Sequence, residues 1–73
     1  MMGLWIRDQW KMDLACVNYV CIDNEDPLFI LAKSGETYVT LGRYETKERA
    51  LAVLDEIQTK ISLGHTIYEM PKE

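Results

Sequence analysis

Short strand-like segments separated by turn residues run from Leu4 to Tyr44, and the pattern switches to a helical period after Thr46. Leu4-Trp5-Ile6-Arg7 reads as a short strand, with Leu4 and Ile6 on one face and Trp5 and Arg7 on the other. Asp8-Gln9 follows as a turn. Leu14 to Asp23 reads as a single second strand that is apolar on both faces, which predicts a central place in a sheet. Asn18 is its one polar interruption and is expected to bond neighbouring backbone. Asn24-Glu25-Asp26-Pro27 is a turn cluster. Leu28 to Lys33 and Thr37 to Tyr44 read as the next strands, joined through Ser34-Gly35-Glu36. Gly42 near a strand end predicts a bulge or a close backbone approach. Short turns between successive strands make an antiparallel meander the simplest pairing.

The segment after Thr46 predicts an amphipathic helix. Thr46 suits the N-cap, Glu48 suits the first turn, and Ala50, Leu54, Ile57 and Ile61 recur at helical spacing, widened by Leu51 and Val53. Gly64 is placed to end it. A helix of this length does not stand alone in water, so its apolar stripe must lie over a sheet. Thr66 to Met70 alternates again as a short last strand, ended by Pro71. The expected architecture is therefore α+β: an antiparallel sheet of about four strands, one α-helix packed on it and a short C-terminal strand, in a single domain spanning 1–73.

Composition narrows the function classes. The chain has 73 residues, 48% of them hydrophobic, and a formal charge of −4. That charge argues against a general nucleic-acid binder, because a phosphate backbone demands a basic surface, though it leaves room for a local basic patch. Membrane association is not expected, because no apolar run approaches a membrane span. The N-terminal apolar stretch is broken by Arg7 and Asp8 before it could form a signal peptide, so a cytoplasmic setting is expected.

Cys16 and Cys21 lie five apart, which on one regular strand points them to opposite faces; both are expected to be buried free thiols. With His65 as the single histidine, a four-ligand zinc site is short of donors, and no cofactor is expected. His65 beside Gly64 is expected to act at the helix C-terminus, where cations are favoured. No nucleophile elbow, phosphate-binding loop or metalloprotease motif occurs, so the chain reads as non-enzymatic.

Arg43, Tyr44, Lys47 and Arg49 surround the predicted helix start, where free N–H groups and the dipole favour an anion. With Arg7 they form the candidate ligand-binding set: the arginines would hold a phosphate and Tyr44 would stack on a base. The ordinary alternative is a solvated helix face in which these cations pair with Glu45 and Glu48. Seven aromatics (Trp5, Trp10, Tyr19, Phe29, Tyr38, Tyr44 and Tyr68) exceed what a thin core needs. That surplus favours a homo-oligomer, with any small-molecule pocket formed between copies.

Trp5-Ile6-Arg7, the run Leu41-Gly42-Arg43-Tyr44 leading into Lys47-Glu48-Arg49-Ala50-Leu51, and Tyr68-Glu69-Met70-Pro71 together resemble small phage- and prophage-associated proteins of Gram-positive bacteria. The resemblance covers most of the chain, with extra residues ahead of the tryptophan. It implies a host cytoplasm as the setting and an anti-defence role. In that role an oligomer would bind and sequester a nucleotide-derived immune signal of the cyclic oligonucleotide or cyclic ADP-ribose type. The alternative is an acidic protein-binding module that inhibits or regulates a host or phage protein.

Overall fold

The structure is a computed structural model that describes residues 4–73. The first part of the signal-peptide reading, on residues 1–3, lies outside the described residues. Among the described residues the chain forms β1 (Leu4–Arg7), β2 (Leu14–Val17), β3 (Tyr19–Ile22), β4 (Phe29–Ser34), β5 (Thr37–Arg43), α1 (Lys47–Ser62) and β6 (Ile67–Glu69). The class is α+β. The six strands form two three-stranded sheets, ordered β2-β1-β6 and β3-β4-β5, rather than one sheet of about four.

The division arises at Asn18. The expected single strand Leu14–Asp23 exchanges partners there. Val17 opposes Leu4 in the first sheet, and Tyr19 opposes Lys33 in the second. Between them, the Asn18 N–H donates to the Lys33 carbonyl at 3.1 Å. Ser34 Oγ donates to the Cys16 carbonyl at 2.7 Å and ties the two sheets at the same corner. Side-chain parity slips by one residue. Ala15 and Val17 face the core before the corner, and Val20 and Ile22 face it after. This is why the segment looks apolar on both faces without being a doubly covered strand. The slip also overturns the expectation for the cysteines: Cys16 and Cys21 both lie on outward faces, on different sheets, as half-buried free thiols.

β3, β4 and β5 form the expected antiparallel meander, with Gly35 at φ +64° in its turn. The register shifts between Ile30 and Leu31, so Leu41 is an extra residue on β5. β6 returns parallel to β1, with Ile6 opposite Tyr68. Residues 8–66, which carry β2 to β5 and α1, lie between the two strands and leave ample chain for a parallel return.

One cluster fills the space between the layers. Ile6, Ile30, Leu41, Val53 and Ile57 are almost fully buried in it, and Tyr44, Tyr68 and Met70 close it from the C-terminal side. Removing the side chain from such a position costs about 2–5 kcal/mol. The helix contributes Ala50, Val53 and Ile57 to this core; Leu54 is half-buried, and Leu51 and Ile61 are exposed. Thr46 caps it, its Oγ1 accepting from the Arg49 N–H at 3.0 Å.

At the other end Gly64 takes φ +80°, Gly64 N–H donates to the Ile61 carbonyl, and His65 N–H donates to the Lys60 carbonyl. These two bonds are a Schellman cap. His65 therefore satisfies the helix end through its backbone, with its side chain exposed, and not through a cationic ring as expected.

The loop Asp8–Asp13 is built around a buried carboxylate. Asp8 Oδ1 accepts from the Met12 N–H at 2.9 Å, and the Asp8 N–H donates to the Asp13 carbonyl. Lys11 sits at φ +62° in this loop, and its ammonium pairs with Glu69 at 2.9 Å. That pairing holds the Glu69 carboxyl below its usual value. No helix among the described residues is long and apolar enough to cross a membrane.

Candidate functional site

The helix start lies at the junction of β5 and the C-terminal tail. Gly42 lets the chain pass within 3.1 Å of Gln9 and 3.2 Å of the Tyr44 ring, measured from where a Cβ would stand. That close approach turns Tyr44 inward, and it is buried with its hydroxyl donating to the Pro71 carbonyl at 2.8 Å. Burial pushes the Tyr44 phenol up to about 12, with Arg49 opposing the shift and Glu56 adding to it. The Arg49 guanidinium lies 5.9 Å from the Tyr44 ring centre. Its Nε and Nη2 both donate to the Glu73 backbone oxygen, at 3.0 and 2.7 Å. Tyr68 is held next to this group. Its hydroxyl donates to Glu56, and burial together with that bond raises its pKa above the ordinary range.

The structure thus brings Tyr44 and Arg49 together and directs both toward the tail. Arg43 lies elsewhere, its guanidinium 5.7 Å from the Phe29 ring on the outward face of the second sheet. Arg7 stands on the outward face of β1, with Nη1 3.4 Å from the Lys11 carbonyl. Lys47 is exposed on the first turn of α1. Arg49 already gives Nε and Nη2 to the chain itself, and Tyr44 is buried.

A broad concavity lies at the opposite end of the helix. A groove of about 870 Å³ runs between the second half of α1 and the corner where β2 hands over to β3. Leu4, Val17, Val20, Leu54, Ile57 and Ile61 form its floor and walls, and Asn18, Asp55, Gln58 and His65 rim it. Ile61 is 56% exposed there although it belongs to the same helical stripe as Ile57, which is 2% exposed. A smaller hollow of about 600 Å³ lies between the Asp8–Asp13 loop and β5, beside the exposed Trp10 and Met12.

Sequence reasoning missed the groove because its walls meet only when the strand breaks at Asn18. Helical spacing put Ile61 in the stripe expected to lie over a sheet, so the pattern held no sign that it would stand open. Among the described residues no three His, Cys, Asp or Glu side chains come together as a metal site. Compared with known proteins, the chain matches no family model, no curated protein and no solved structure.

Proposed function

We propose that this chain is a non-enzymatic binding module whose working surface is the groove along the second half of α1, with a protein as its ligand. The observation that carries the reading is Ile61. It continues the helix's apolar stripe and stands over half exposed in the wall of the groove. An apolar concavity with a few polar groups at its rim is the ordinary form of a recognition site. Asp55 at the rim and the chain's charge of −4 favour a partner with basic residues around an apolar anchor. The nucleotide-signal reading would need open donors at the helix start. With Arg49 bonded to the tail, that site has less geometry to support it than the groove has.

A photo-crosslinking side chain at Gln58 tests the proposal, with one at Glu36 as control. Crosslinks from Gln58 to a protein of defined mass, weakened by rising salt and abolished by Ile61→Glu, are expected. The mass also distinguishes a second copy from a different protein. Crosslinks unchanged by Ile61→Glu, or equal from both positions, would overturn it.

A further inference from the structure

We propose that the open face of β3-β4-β5 is a stacking platform for a short stretch of single-stranded nucleic acid. The inward face of this sheet carries Val20, Ile22, Ile30, Ala32 and Val39 against the core. The outward face is left uncovered, and Tyr19 and Tyr38 on it are 54% and 58% exposed. Register places these two rings deliberately: Tyr19 opposes Lys33, and Lys33 opposes Tyr38. Two strand spacings put the rings about 10 Å apart with the lysine between them.

At the far end of the face Phe29 opposes Arg43. That pair lies four residues along β4 from Lys33, roughly 13 Å away. Each cation lies over a ring in the free protein: Lys33 Nζ is 5.9 Å from the Tyr38 centre and Arg43 5.7 Å from the Phe29 centre.

Charge complementarity selects the ligand. The chain has twelve acidic residues against eight basic ones, yet no outward position of these three strands is a carboxylate, while two are cations. The acidic residues that flank these strands in the sequence, Asp23, Glu25, Asp26, Glu36 and Glu45, stand in the connecting segments beyond the strand ends. Exposed rings interleaved with cations suit bases that stack in sequence-tolerant fashion with phosphates running past them. A duplex hides its base faces and is excluded from such contacts. The face has no wall to enclose a free nucleotide, so an extended strand is the occupant that uses all of it. The excess of acidic charge elsewhere confines binding to this patch and keeps it weak and salt-dependent.

Fluorescence anisotropy with a labelled oligothymidylate of about ten nucleotides tests this on the intact chain. Saturable binding at low salt is expected. Tyr38→Ala or Tyr19→Ala should weaken it about ten-fold, Tyr38→Phe should retain it, and Leu51→Gln on the exposed side of α1 should leave it unchanged. Two phosphate contacts predict a log–log salt slope of about −1.4, and Lys33→Gln should reduce it to about −0.7.

The proposal is overturned by absence of binding at low salt. It is equally overturned by affinity that Tyr38→Ala leaves intact, by a duplex that competes as well as the strand, or by a cyclic dinucleotide that competes better. Self-association of the protein that is lost in Tyr38→Ala and unaffected by the strand would assign the face to a second copy instead. Thermal melts of each variant separate lost binding from lost folding, and the ring-retaining Tyr38→Phe reads out the site if the alanine variant is unstable.

Discussion

The side-chain oxygen of Gln9 accepts the Arg43 backbone N–H at 2.7 Å, joining the Asp8–Asp13 loop to the last residue of β5. The same residue donates its own N–H to the Leu41 carbonyl at 2.8 Å and its side-chain NH₂ to the Lys72 carbonyl at 2.7 Å. One glutamine thus occupies part of an otherwise open strand edge and fastens the tail to it. Gln9→Ala keeps the backbone bond and loses the other two. A loss of about 1–3 kcal/mol is expected, read as a lower denaturant midpoint, with faster amide exchange at Arg43. Unchanged exchange at Arg43 would show that the side chain carries no weight there.

Gly42→Ala should be costly for a steric reason. The added methyl would lie 3.1 Å from Gln9 Cβ and 3.2 Å from the Tyr44 ring, both held by the packing around them. Overpacking of this kind costs about 1–3 kcal/mol, or roughly 4–8 °C in Tm per kcal/mol for a domain this size. A melt within a degree of the parent protein would contradict it.

Gly64→Ala tests backbone conformation alone, because nothing lies within 4 Å of the position a Cβ would take and φ is +80°. About 1 kcal/mol of destabilisation is expected from the left-handed conformation. Helicity at Ile61–Leu63 should fray first, visible as lost amide protection at His65.

Ile57 and Ile61 separate the covered part of the helix from the uncovered part. Ile57→Ala should cost about 2–5 kcal/mol and Ile61→Ala under about 0.5 kcal/mol in the isolated chain. Equal losses in urea titrations would mean that Ile61 is covered in solution, and sedimentation would then show whether a second copy covers it.

Alkaline pH should unfold this protein early. Tyr44 and Tyr68 have folded-state pKa values raised above the unfolded value of about 10, chiefly by burial. The protonated phenol is the form the fold prefers. The stability linked to it is fully present below about pH 10 and is lost as pH rises toward about 12, where Tyr44 titrates in the folded state. Denaturant midpoints measured across that window should fall steeply, and more gently in Tyr44→Phe. A flat profile for the parent protein would refute the assignment.

The helix was legible from the sequence because its signals are local: Thr46 as cap, Gly64 as stop, and Ala50, Val53 and Ile57 on one side. The meander was legible for the same reason, since turns such as Ser34-Gly35-Glu36 dictate which strands meet. The parallel pairing of β6 with β1 was not, because nothing near Tyr68 in the chain reports that it will lie beside Ile6. At the candidate site, chain proximity misled. Tyr44 and Arg43 are adjacent in sequence, but the register shift at Leu41 and the close approach at Gly42 leave Tyr44 in the core and Arg43 over Phe29. The row of Tyr19, Lys33 and Tyr38 across one face required counting register through two turns at once.

Asn18 leaves this fold a single residue away from a different one. Were it deleted, Ala15, Val17, Val20 and Ile22 would come into step along an uninterrupted ribbon with one greasy side. Nothing local would then oblige the chain to change course, and the hollow beside Ile61 would lose its corner. A long, flat, unbroken ribbon is also what neighbouring molecules most readily add themselves to. The asparagine thus keeps the two short sheets apart.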